Sequence, residues 1–210
     1  MSSRRGVTAN DRGTGADNAT LDSSCEWAFS VRQAVMSPDG IAGYGVTAAG
    51  LNISGDLTLV WVGKVKSTYA TLAANRTLCR FYISEQDNLF LTYASAENAL
   101  LWAPTGNNAS GGVTHSTRPS IDDYWILLAT LTQVGIAFLF VDGISAGTSS
   151  GTGAVSPASA TGYLGRAQVA ANHDVSQPIL AGIINGALSG QEALNLSRYI
   201  NNWLGLGLTI

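Results

Sequence analysis

The feature that most constrains the fold is an uncharged run, Tyr124 to Val141, closed by Asp142-Gly143. Its 18 residues reach the lower limit for a membrane-spanning helix. Its content points elsewhere. Thr130, Thr132, Gln133 and Gly135 interrupt the middle, β-branched and aromatic residues make up much of the rest, and Asp-Gly is a hairpin-turn pair. The run therefore reads as two strands, Tyr124–Thr132 and Ile136–Val141, turning around Gln133-Val134-Gly135. Alternation places Trp125, Leu127, Ala129 and Leu131 on one face, with Ile126 and Leu128 on the other. A strand that is apolar on both faces must be covered on both, so this hairpin belongs between two layers at the centre of a β-sandwich.

The flanking sequence supplies the rest of such a protein. Trp27–Val31 alternates, Ser37-Pro38-Asp39-Gly40 is a turn, and Gly55-Asp56 leads into the apolar strand Leu57–Val62. Cys79–Ser84 and Asn88–Tyr93 form a second hairpin around Glu85-Gln86-Asp87, and Asn98–Trp102 follows as a further strand. Pro104–Gly112 and most of Ser145–Thr161 read as loops; Gly162–Gly165 and Pro178–Ile184 read as the last strands. One helix closes the chain, at about 189–204. Ser189-Gly-Gln-Glu192 is a capping box, Ala193, Leu196, Ile200 and Trp203 recur at helical spacing, and Gly205 is the stop. Leu196, Ile200 and Trp203 are expected to face the sandwich.

With 210 residues the chain fits one domain, 25–210, preceded by a polar, Gly-rich arm over 1–24. Such an arm carries too little apolar surface to order itself, so it needs a surface to lie on. That surface is either its own sandwich or a neighbouring chain, with Arg4, Arg5 and Arg12 as charged anchors for acidic groups on a partner. Charged residues make up 12% of the chain, about half the usual share, which suits a protein that covers much of its surface in a homo-oligomer or larger assembly. The net charge of −3, with no basic face, argues against nucleic acid as a partner. Cys25 and Cys79 could pair or remain thiols; buried thiols are the preferred reading because the N-terminus has no export signal.

The order of motifs resembles the laminin-G-like, concanavalin A-like lectin and glucanase superfamily, of the kind found in bacteriophage structural proteins. The resemblance rests on Gly55-Asp56-Leu57-Thr58-Leu59-Val60-Trp61-Val62, on Tyr124–Ala129, and on Phe138-Leu139-Phe140-Val141-Asp142-Gly143. Tyr163-Leu164-Gly165, Leu180–Ile184 and Ala187-Leu188-Ser189 with Glu192 complete it, so that it spans roughly residues 50–204. It implies an all-β fold, a two-sheet antiparallel jelly-roll sandwich with one C-terminal helix. Functions on this fold range from lectins and glycanases to adhesion modules and virion proteins, so the job has to be argued from side chains.

Glycoside hydrolysis needs two carboxyls flanking one bond. No run of alternating carboxylates occurs here. Glu85 and Asp87 fall at a turn, and adjacent Asp122 and Asp123 would point to opposite faces of a strand. His115 and His173 lie in no nucleophile motif, and the Cys and His residues lack zinc spacing. Asn172-His173-Asp174 is the most ligand-like cluster. It could offer oxygens to Ca²⁺ or hydrogen bonds to a sugar, although no motif calls for the ion and a polar loop is the plainer reading. Asp142 reads as a turn residue, and Trp61, Trp102 and Trp125 as core residues before sugar platforms. The expectation is a non-catalytic module, with no catalytic residues, no metal and no cofactor. Its place would be the surface of a virus particle, as a capsid decoration or fibre protein among other virion subunits. The alternative is an extracellular or cell-surface lectin or adhesin binding glycan.

Overall fold

The computed structural model describes residues 8–9, 19–21, 26–29, 34–37, 45–47, 55–65, 76–84, 87–94, 99–103, 112–115, 123–150, 161–165 and 176–210. In chain order the first strands are β1 (Thr8–Ala9), β2 (Ala19–Leu21), β3 (Glu26–Phe29), β4 (Ala34–Ser37) and β5 (Gly45–Thr47). The next are β6 (Leu57–Val65), β7 (Arg76–Ser84), β8 (Asp87–Ala94), β9 (Ala99–Ala103) and β10 (Val113–His115). Then come β11 (Tyr124–Leu131), β12 (Ala137–Val141), β13 (Ile144–Ser149), β14 (Thr161–Leu164) and β15 (Ser176–Asn185), and last the helix α1 (Gly190–Leu204).

Among the described residues the strands form two large antiparallel sheets and a hairpin. One sheet has the order β1-β2-β5-β14-β7-β8-β9-β10, the other β13-β12-β11-β6-β15, and β3 pairs with β4 alone. The central hairpin is where the sequence puts it. β11 lies between β12 and β6, with Leu127 opposite both Val141 and Trp61. Its two faces enter different cores. Trp125, Leu127, Ala129 and Leu131 pack with Leu57, Leu59 and Trp61 against Leu78, Phe81, Leu89 and Leu91 of the larger sheet. Ile126 and Leu128 pack with Val60, Val62 and Phe140 against Ala193, Ile200 and Leu204 of α1. The five-stranded sheet is thus the middle of three layers. At roughly 1.5–3 kcal/mol per fully buried large side chain, these two cores supply the main drive for folding.

Two threonines enter this middle layer as a pair. Thr58 and Thr130 sit opposite one another and share a hydroxyl hydrogen bond of 2.9 Å, and Thr58 also donates to the Gly186 carbonyl at 2.8 Å. The β11–β12 turn is closed by Gly135 N–H donating to the Thr132 carbonyl and by Gln133 N–H donating to Asp56 Oδ1, at 2.9 and 2.7 Å. Asp142 and Gly143 make the β12–β13 turn with φ of 52° and 80°, the doubly left-handed conformation for which Asp-Gly is suited.

Four expectations need correcting or narrowing. Ser145–Ser149, the start of the stretch Ser145–Thr161 expected to be mostly loop, belong to strand β13; as an edge strand it needs little apolar content, and Thr148 Oγ1 donates to the Ala137 carbonyl at 3.0 Å. Trp203 does not face the sandwich. It is 56% exposed and stacks on Tyr199, itself 65% exposed, with ring centroids 6.4 Å apart. The buried line of α1 is Ala193, Ser197, Ile200 and Leu204, and at about 100° per residue Trp203 falls roughly 80° away from Ala193. Within the arm, β1 pairs with β2 and β2 with β5, so residues 8–9 and 19–21 belong to the chain's own larger sheet. Strand β10 was absent from the sequence reading, yet Val113 is buried in the main core. Cys79 is a buried thiol on β7, while Cys25 lies outside the described residues.

Candidate functional site

The start of β11, the β12–β13 turn and the segment after α1 meet around a recess of about 400 Å³. Asp123, Tyr124, Trp125, Asp142, Leu206, Gly207 and Leu208 line it. Each wall has a local cause. Asp142 sits opposite Ile126 at the end of the β11–β12 ladder. Its backbone N–H donates to the Ile126 carbonyl at 2.8 Å, and its Oδ1 accepts the Ile126 N–H at 2.8 Å. The side chain thereby replaces the next rung of the sheet. Burial pushes the Asp142 carboxyl above its ordinary range, and the Ile126 N–H partly offsets this by favouring the carboxylate.

Gly143 lets the helix approach this turn. A Cβ there would lie 3.0 Å from the Leu194 Cα and 3.2 Å from the Ser197 Cβ. The third wall follows from the helix stop. Gly205 takes the left-handed conformation, with φ of 63°, and turns the chain back. Asn201 then holds the returning segment as a strand neighbour would, donating from Nδ2 to the Leu208 carbonyl at 2.8 Å and accepting the Leu208 N–H at Oδ1 at 3.0 Å. Leu206, Leu208 and Ile210 alternate inward onto the second core, which leaves Gly207 exposed at the recess.

On the β11 side, Tyr124 pairs with Lys64 across to β6, and the Lys64 ammonium lies 5.6 Å from the Tyr124 ring centroid. This is a cation–π contact on a ring that also lines the recess. Trp125 is buried, with His115 edge-on at 6.1 Å. Burial alone holds His115 below its ordinary pKa. Among the described residues the lining therefore combines an aromatic wall, two carboxyls, a glycine backbone and two leucines, with no basic residue.

Of the residues singled out in the sequence, Asn172, His173, Asp174, Arg4, Arg5 and Arg12 lie outside the described residues. Trp61 and Trp125 are core residues, and Asp142 is a turn residue as expected, with the added place at the recess. Sequence reasoning missed Tyr124, Asp123 and Leu206–Leu208 as a group. Only the folded chain brings these three segments together, and no local spacing announces them. Among the described residues no three or more His, Cys, Asp or Glu side chains gather as a metal site, and no helix is long and apolar enough to cross a membrane.

No protein-family model and no curated protein sequence matches the chain. Solved structures do match in shape. The binding domain of Paraclostridial Mosquitocidal Protein 1 has a TM-score of 0.71 at 12% identity, covering 91% of this chain and 50% of that one. The botulinum neurotoxin serotype D ligand binding domain in complex with N-acetylneuraminic acid has 0.67 at 9%, covering 92% and 50%. A native heptameric SAP-like pentraxin from Limulus polyphemus has 0.60 at 13%, covering 81% and 84%. The fold is a concanavalin A-like jelly roll. This jelly roll spans about half the length of the two toxin-domain chains. At such identities the shared property is the fold, and the chemistry rests on the recess.

Proposed function

We propose that this chain is a non-catalytic binding module whose recess takes a saccharide. The observation that carries the reading is the composition of the recess: the Tyr124 ring beside the Asp123 and Asp142 carboxyls and the Gly207 backbone, on a lectin-type jelly roll. Sugars present apolar C–H faces and hydroxyl edges, which an aromatic ring and carboxyl acceptors complement. Two toxin binding domains and a pentraxin among the structural neighbours support a binding role in preference to a catalytic one. Asp142 also has one oxygen held by the Ile126 amide, a fixed turn geometry that serves hydrogen bonding better than proton transfer.

The test is calorimetric titration of the full chain with ligands chosen from a glycan array, alongside Tyr124→Ala. Saturable binding that weakens at least tenfold in the variant, about 1.4 kcal/mol, supports the reading. Binding indifferent to Tyr124 removes the recess from it, and turnover of any polysaccharide overturns the non-catalytic assignment.

A second reading concerns the setting. The exposed Tyr199–Trp203 stack on α1 and the low charge favour a module displayed in an assembly, such as a decoration or fibre protein of a virus particle. Stoichiometric presence of the chain in purified virions would support that setting.

A further inference from the structure

We propose that the recess selects saccharides by charge, taking amine-bearing and neutral sugars and turning away those that carry a carboxylate or sulfate. This rests on the reading of the chain as a saccharide-binding module. Among the described residues the lining holds Asp123 and Asp142 and no Lys, Arg or His. Asp142 is fixed in place through the Ile126 N–H and by its own left-handed backbone, so its carboxyl cannot swing away from an approaching anion. Asp123 is exposed at the mouth, just ahead of β11.

The aromatic wall does not add to this selection. Tyr124 already carries an ammonium from this chain, the Lys64 Nζ at 5.6 Å, so the preference rests on the two carboxyls. A protonated amine on a sugar would meet two carboxyls, while the hydroxyls of a neutral sugar would still find acceptors. An acidic sugar would meet two like charges and, among the described lining residues, no guanidinium or ammonium to receive its own. A unit charge about 4 Å away in water changes affinity by roughly fivefold, so two carboxyls set a penalty on the order of tenfold or more for an acidic sugar.

The experiment is a glycan array probed with the full chain, its glycans sorted by charge, followed by titration of the best ligand of each class at about 0.05 M and 1 M salt. The expected result is binding confined to amine-bearing and neutral glycans. The gap between neutral and acidic glycans should narrow in high salt, and by about fivefold in each of Asp123→Asn and Asp142→Asn. Asp123 is exposed and outside any strand, so its variant keeps the test usable should Asp142→Asn disturb the turn. Sialylated, uronate or sulfated glycans among the tightest ligands would overturn the inference. Neutral binding with a charge preference untouched by either variant would also overturn it, while leaving the saccharide reading standing. Absence of any glycan binding would overturn both.

Discussion

Gly143 and Asp142 are adjacent and do different work. Gly143 combines φ of 80° with backbone of α1 at 3.0 Å from where a Cβ would sit, so neither rotation nor a side-chain shift relieves a substitution. Gly143→Ala should lower stability by about 2–3 kcal/mol in urea denaturation, from backbone strain and overpacking together. Asp142 contributes a pH signature. Its folded pKa is raised above the ordinary 3.8 by burial, so the folded state binds its proton more tightly than the unfolded state does. Its contribution is therefore most favourable below the unfolded value and is lost as pH rises through the folded one. Asp142→Asn keeps an oxygen acceptor and tolerates a positive φ. The variant should gain stability relative to the parent as pH rises from about 3.5, and denaturation midpoints across pH 3–7 would show it.

At the scale of elements, α1 is set by its cap and by its phase. Ser189 accepts the Glu192 N–H at 3.4 Å, and Glu192 receives both the Ser189 N–H and hydroxyl, at 2.8 and 2.7 Å. These bonds hold the Glu192 carboxyl below its ordinary 4.5. The stabilisation is present above that value and fades as pH falls through the folded one, opposite in sign to Asp142. Ser189→Ala should cost about 1 kcal/mol. Ile200→Ala, which opens the second core, should cost about 2–5, whereas Trp203→Ser should stay within about 0.5 by the same denaturation measurement. The contrast shows what sequence periodicity resolves. The capping box and the Gly205 stop were legible because both are local hydrogen-bond geometries. The buried line was legible only to within one helical position, since Ser197 is buried for its small size beside Gly143 while Trp203, more apolar, faces outward. β11 was legible because two cores demanded apolar residues on both faces. β13 was not, because an edge strand of Ser, Ala, Gly and Thr carries almost no pattern. The recess was invisible for a different reason: it exists only where three segments distant in sequence converge.

In the whole molecule, the two sheets differ in how they hold the chain. The larger sheet gathers peripheral strands, and its β5 is flanked by β2 from the arm and by β14. Removing residues 1–24 should expose one side of β5. Amide exchange at Gly45–Thr47 should then accelerate, while β6 and β11 keep their protection. The middle sheet carries a hazard of timing. β11, β12 and β13 follow one another through tight turns and can pair as soon as they are made. Their outer cover is α1, complete only at Leu204, 63 residues beyond Val141. At synthesis rates of about 5–20 residues per second, a hairpin greasy on both sides waits roughly 3–13 s for its lid. During that interval nothing charged between Tyr124 and Val141 discourages two nascent chains from sticking together. Yield in cells should therefore respond more to slower initiation, lower temperature or a holding chaperone than to any stabilisation of the finished fold.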